Sequence, residues 1–599
     1  MVLTEDTNNQ IAGRRQAVMD YRAKRRISRR TFLSATAAGG GLLLTGGIGS
    51  VVRAVTPTQA DPNAPWFEAT ILQLRQQMQT GSLTSEDLTR AYLHRIAELN
   101  PLLGAVIETN PDAIEIARVR DAERRSGRDR GVLHGIPILV KDNILTEDRM
   151  QSTAGSLALV DVRVTEDAPV VERLRKHGAV ILGKTNLSEW ANFRGFPPPD
   201  FPFETNSLNG WSARGGFTYN PYLLSFDPCG SSSGSGVAPA VNMAAAAIGT
   251  ETDGSIVCPA GNNQVVGLKP TVGLVPAAGI IPIAHSQDTA GPMARTVEDV
   301  AVLMNVLARP SLNGVARPKD YTQYLEPNGL QGARIGIERR QFLPEYFALP
   351  EINAAVEVAI EAMAAAGAVI VDPVDTGDTY AWFDAEFVVL LYEFKHDIDR
   401  FLRGSYLRNS PMRSLGDLIQ FNIDHCPEEM KYFGQEIFEL AEATGGDLTS
   451  TEYLEARALC LELTRAQGID RVMAEHDLDA VLSPSYAFGS SAPACAGYPV
   501  ISVPVGFAAD GKPAGVWMYA GFMQEPQLIR IGHAIETLLQ PRAQQPQFLG
   551  AVPPEPADAG ICAMLPNGDV GARIEALSQS GALKAPAHPR TGRPLPIGR

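Results

Sequence analysis

The sequence predicts an α/β fold, a β-sheet covered by α-helices on both faces. Three observations predict it. Short apolar runs of strand length alternate with longer helical patterns along most of the chain. Hydrophobic residues make up 45% of the 599 residues and charged residues 20%, enough apolar surface for a large core. No repeat of solenoid or propeller length breaks the alternation.

The first 60 residues read as an address rather than as part of that fold. Ser28-Arg29-Arg30-Thr31-Phe32-Leu33 matches the twin-arginine export pattern. A mildly apolar stretch rich in Ala, Gly and Leu follows, then Arg53 and small residues to Ala60. Basic, apolar, then small residues is the order of a cleaved signal. The apolar stretch barely reaches the length of a membrane span, and its glycines weaken it. We therefore expect a twin-arginine signal over 1–60, recognition by the export machinery, no stable membrane association after cleavage, and a periplasmic or secreted product.

After the signal, Thr84-Ser85, followed by Glu86 and Asp87, caps a helix running to about residue 100. A second helix starts near Pro111. Residues 135–140 form a buried-type strand, 168–177 a helix and 179–182 another strand. Residues 194–230, rich in Gly, Pro, Asn and Ser, form a long loop. A small-residue helix is expected over 237–248. Later strands fall at 333–337, 368–371, 480–482 and 500–505, with helices over 351–366, 382–402 and 451–476. Past about Pro553 the chain turns polar and rich in Pro, Gly and Ala. This divides it into a signal at 1–60, one main domain at 61–555 and a flexible tail at 556–599.

Charge narrows the function. The first 60 residues hold nine Lys/Arg against three Asp/Glu, so the rest carries −21 where the whole chain carries −15. No basic footprint remains for phosphate, which argues against nucleic acid as a partner. Six cysteines stand far apart with no CxxC pair, so neither zinc nor a redox motif is indicated. Their spacing leaves any pairing open.

Two segments carry candidate chemistry. One is Cys229-Gly230-Ser231-Ser232-Ser233-Gly234, the other Gly249-Thr250-Glu251-Thr252-Asp253-Gly254-Ser255. A serine beside glycine on a tight turn is uncrowded, and several backbone N–H groups can converge on one oxyanion there. Gly/Ser-rich runs are often linkers, but these two flank an apolar stretch. Gly230-Ser231-Ser232-Ser233-Gly234 also matches the G-x-S-x-G nucleophile elbow, which would make Ser232 the nucleophile. That elbow needs a strand directly before it, and Pro228 spoils one.

Together these segments resemble the amidase signature. Val265-Val266-Gly267-Leu268-Lys269-Pro270-Thr271 closes the signature. Gly135-Ile136-Pro137-Ile138-Leu139-Val140-Lys141-Asp142, Gly183-Lys184-Thr185-Asn186 and Gly497-Tyr498-Pro499-Val500-Ile501-Ser502-Val503-Pro504 are similar to further family segments, in the family's order. The resemblance spans roughly 66–553. It implies a mixed β-sheet core and a hydrolase cleaving C–N amide bonds through an acyl-enzyme. The family's catalytic lysine, cis-serine and nucleophile map onto Lys141, Ser231 and Ser255, with a cis peptide before Ser231. The backbone N–H groups of Thr252, Asp253, Gly254 and Ser255 map onto the oxyanion hole. Trp211 and Ser232 are candidates for substrate contacts. No metal and no cofactor is implied.

Cys229, Ser233, Glu251, Asp253 and Val257 depart from the commonest family residues. Those at 251, 253 and 257, and the segments Gly210–Gly216 and Ser286–Met293, look like the peptide amidase subgroup, whose substrates are C-terminal peptide amides. Fatty acid amides and cyclic amides remain alternatives, as do a non-catalytic amide-binding protein and a transamidase subunit. The base is a lysine, so activity should rise toward mildly alkaline pH. The competing role for Lys141 is a structural salt bridge to Asp142 or another acid.

Overall fold

The computed structural model describes residues 61, 63–196 and 209–564. The expected export signal, residues 197–208 of the long loop and residues 565–599 of the expected tail lie outside the described residues.

Eleven strands form one mixed sheet: β1 (Val106–Thr109), β2 (Pro137–Lys141), β3 (Val180–Thr185), β4 (Ala246–Glu251), β5 (Val266–Lys269), β6 (Thr289–Ala294), β7 (Arg334–Glu338), β8 (Val369–Val374), β9 (Ala480–Pro484), β10 (Val500–Phe507) and β11 (Pro513–Tyr519). Their spatial order is β1-β3-β2-β4-β6-β5-β10-β11-β9-β7-β8. β3, β2 and β4 run parallel, as do β9, β7 and β8. The remaining neighbours are antiparallel. Every residue of β2, β3 and β4 is buried. Strands covered on both faces read as continuous apolar runs, which is why β2 and β3 were legible in the sequence.

This pattern is the α/β, mixed-sheet architecture that the amidase signature implied. The helices follow their sequence signals. Thr84 caps Ser85–Leu103 by accepting the Asp87 N–H, and Gly104, at φ 56°, ends it. Helices also form at Ala113–Arg125, Pro169–Lys176, Pro350–Ala365 and Phe383–Arg403. The last is the hub of a second apolar cluster, with Phe387, Phe394, Trp190, Phe193 and Phe438. Among the described residues, no helix is long and apolar enough to cross a membrane.

Two expectations need correction. The stretch 237–248 is not one helix. Helix Ser233–Ala240 stops just past Pro239, Asn242 turns at φ 59°, and the chain enters β4 at Ala246. Alanine favours a helix by local propensity, but β4 fills the slot between β2 and β6, and that burial prevails. The second is 451–476, which breaks into Thr451–Leu461, a wide-turned segment Glu462–Ile469 and Asp470–His476. The break falls at Gly468, at φ −104° and ψ −108°.

Beyond residue 555 the described chain stays attached. Ala559 N–H donates to the Lys431 carbonyl, and Cys562 is disulfide-bonded to Cys426.

Candidate active site

The parallel strands β2, β3 and β4 end on the same edge of the sheet. Lys141, the last residue of β2, is level with Thr185 of β3, and Val140 is level with Ile248 of β4. Carboxyl ends of parallel strands are where α/β sheets place their ligands. The two serine-rich segments both reach this edge, one before helix Ser233–Ala240 and one after β4.

Lys141 is fully buried. Its Nζ lies 2.7 Å from Ser231 Oγ, 2.9 Å from Thr250 Oγ1 and 3.3 Å from the Thr250 carbonyl. Asn143 donates to the same Thr250 hydroxyl at 3.0 Å. Lys141 forms no salt bridge to Asp142. That carboxylate takes Arg214 at 3.1 Å and the Thr153 hydroxyl at 2.6 Å instead. Burial pushes the Lys141 amine down to about 7, against the pull of the Glu251 and Asp288 carboxylates. Desolvation prevails partly because both acids are themselves buried and shifted upward, Asp288 to about 7.

The two serine segments are bound to each other. Ser232 N–H donates to the Ser255 carbonyl at 3.2 Å. The Ser232 hydroxyl donates to the Thr250 carbonyl at 3.0 Å and accepts the Thr250 N–H at 3.2 Å. A disulfide joins Cys229, two residues before Ser231, to Cys258, three after Ser255. The Gly230–Ser231 peptide is cis. Glu251 accepts the N–H groups of Ile256 at 2.6 Å and Val257 at 3.0 Å. Those two bonds fold residues 252–255 into a tight turn, with Gly254 left-handed at φ 75°. A Cβ at Gly254 would also sit 3.1 Å from Ser490 Oγ. Ser255 is 4% exposed.

A cavity of about 440 Å³ abuts this edge, walled by Asn143, Thr250, Glu251, Thr252 and the apolar run Ala277–Ile283. Asp288 links wall to turn. It accepts the Thr252 hydroxyl at 2.6 Å and the N–H groups of Ile283 and Ala284 at 2.8 and 3.0 Å.

The structure therefore brings Lys141 and Ser231 into direct contact and sets the Thr252–Ser255 turn beside them. The cavity lining includes Thr250, Glu251 and Thr252 but none of Lys141, Ser231, Ser255, Trp211 or Ser232. Trp211 packs edge-on against Tyr432 and Phe433, in the aromatic group that surrounds Arg194. The Ser232 hydroxyl is taken up by Thr250, and among the described residues no histidine hydrogen-bonds to Ser231, Ser232 or Ser255. Sequence reasoning misses three contributors. Thr250 and Glu251 stand in the second serine segment, and Asp288 in the Ser286–Met293 segment. Only the fold shows what their side chains touch.

Comparison with known proteins gives three kinds of match. The Amidase family model matches residues 87–529. A probable amidase of Arabidopsis thaliana is 40% identical over 502 residues, covering 80% of this chain and 92% of its own. A glutamyl-tRNA(Gln) amidotransferase chain of Myxococcus xanthus is 32% identical, over 78% of this chain and 97% of its own. Among solved structures, native peptide amidase from Stenotrophomonas maltophilia is 47% identical, with a TM-score of 0.74, covering 81% of this chain and all of that one.

Proposed function

The chain belongs to the amidase family and is an amidase, and from that premise we propose that it deamidates C-terminal peptide amides through Ser255, Ser231 and Lys141. Serine attacks only when a base takes its proton. Neutral Lys141 takes the Ser231 proton as Ser231 takes that of Ser255, and Ser255 Oγ bonds to the carbonyl carbon. The N–H groups of the 252–255 turn face the oxyanion that forms. The relay then returns a proton to the departing nitrogen, the C–N bond breaks, and ammonia leaves. An ester on Ser255 remains. Water, deprotonated by the same relay, cleaves it to the peptide acid and restores the serine.

The observation that carries this reading is Lys141, buried without a carboxylate partner and 2.7 Å from Ser231 Oγ. The peptide amidase likeness supports the substrate class. A primary carboxamide presents a small NH2 group where an internal bond continues into another residue, so a site closed on that side excludes internal bonds by clash. The test incubates pure enzyme, with no partner protein, with a short peptide amide and the matching free acid. Ammonia from the first and no fragments from either is the expected result. Internal cleavage, or activity confined to fatty amides or lactams, would refute the substrate class.

Because Lys141 must be neutral to act, kcat/KM should rise through a single ionisation centred near pH 7 and level off above it. Burial thus moves the expected rise from mildly alkaline to neutral pH. A rate flat from acid to alkali, or one falling through pH 7, contradicts a lysine base.

We also propose twin-arginine export to the periplasm or beyond. The Ser28–Leu33 motif supports it, and so do the two disulfides, since such bonds persist in oxidising compartments. Arg29→Lys with Arg30→Lys should leave unprocessed protein in the cytoplasm, because the guanidinium pair is what such receptors read. Normal export of the double variant points to another route.

A further inference from the structure

Five side chains that line the cavity carry charge or can gain it near neutral pH: Glu251, His285, Asp288, Asp397 and Arg400. Four of them are spoken for. Glu251 holds the Ile256 and Val257 N–H groups, and Asp288 holds the Thr252 hydroxyl. The His285 ring meets Asp397 at 2.7 Å, and the His285 N–H donates to the same carboxylate at 3.0 Å. Arg400 is different. It is exposed, it stands in the last turn of helix Phe383–Arg403, and its guanidinium has no ion pair or hydrogen bond among the described residues. Beside it Phe401, half-buried, continues the apolar lining.

The cavity lining thus combines Thr250–Thr252 at the start of the turn, the apolar side chains of Ile281 and Ile283, and one uncommitted cation. A guanidinium presents paired N–H donors that match a carboxylate, and it stays charged at any working pH. We propose that Arg400 gives this amidase a preference for peptide amides bearing a carboxylate side chain on the acyl side of the scissile bond. The proposal rests on the peptide amide reading and names the substrates within that class. It adds specificity and no step to the chemistry.

The test uses three pairs of short, blocked peptide amides. Each pair differs only in Glu against Gln, placed at the first, second or third residue before the terminal amide. Glu and Gln have the same shape, so the ratio of their kcat/KM values reads charge alone. At low salt the Glu member of at least one pair should be favoured about fivefold, as expected of a partly exposed ion pair. The ratio should fall toward one as salt is added. Arg400→Ala should bring that ratio to about one, and Arg400→Glu should invert it. Arg400 is exposed and unpartnered, so neither substitution removes a contact that the fold uses. A ratio of one or less in all three pairs of the parent enzyme overturns the proposal, as does a ratio unchanged in Arg400→Ala. Ammonia from the Gln peptides under those results leaves the peptide amide reading standing. No ammonia from any of the peptides overturns both.

Discussion

Ser255→Ala is expected to lower kcat by about 10⁵- to 10⁶-fold, the scale of losing a nucleophile that acts as one unit with its base. No neighbouring hydroxyl can replace it. Ser232 is the serine that the rival motif would choose, but its oxygen is committed to both the N–H and the carbonyl of Thr250. Ser231 is held against Lys141 and would have to leave the base in order to attack. Fold should survive, because the substitution removes one oxygen and leaves little cavity. A change in stability within about 1 kcal/mol is expected. Steady-state ammonia release, with thermal unfolding as the control, checks both halves. Parental rates in a clean Ser255→Ala preparation contradict the assignment.

The second large effect belongs to Lys141. Lys141→Met keeps the length of the side chain and removes the amine, and should lower kcat by about 10³- to 10⁴-fold, the range set by loss of a general base. Its effect on stability should have the opposite sign. Lys141 titrates near 7 in the fold and near its ordinary 10.5 when unfolded, so between those values the unfolded chain binds more protons. The native state therefore gains stability as pH rises across that window, and at neutral pH the buried amine is a cost. Methionine has no such cost, and the variant should melt at or above the parent temperature at pH 7. Loss of activity together with a lowered melting temperature would instead mean that Lys141 is a structural cation. Ser231→Ala should cost less than either, since a water can bridge part of the gap.

Much of this site was legible in the sequence because its residues sit in short, unusual local patterns. Lys141 closes an apolar strand, and a lysine there has nowhere to go but inward. Ser231 and Ser255 flank glycines that few structural roles require. What was not legible was anything set by distance across the fold. A salt bridge from Lys141 to Asp142 or another acid is equally open to the sequence, and only the fold shows that Arg214 and Thr153 occupy the Asp142 carboxylate. Cys229 and Cys258 stand 29 residues apart, and spacing left their pairing open. Asp288 gave no local sign that it would join the cavity wall to the Thr252 hydroxyl. Trp211 stands out by its motif and its size, yet the same size fits it to an aromatic packing site.

The errors in the fold have a related cause. Alanine-rich 244–247 carries a helix-favouring composition, while the central slot of the sheet demands a strand. β1, β5, β6 and β11 also escape the sequence. β6 reads Thr-Ala-Gly-Pro-Met-Ala, which has no alternation and contains both residues that depress strand propensity. Its neighbours on either side hold it in place where local preference does not.

Which serine attacks, Ser255 or Ser232, decides between the amidase relay and the nucleophile elbow, and the relay assigns Ser255. A fluorophosphonate reacts with an activated serine and leaves a stable adduct, so peptide mapping by mass spectrometry after brief labelling reads the nucleophile directly. One adduct is expected, on Ser255, lost in Ser255→Ala and strongly slowed in Lys141→Met. An adduct on Ser232 that persists in both variants would contradict that assignment.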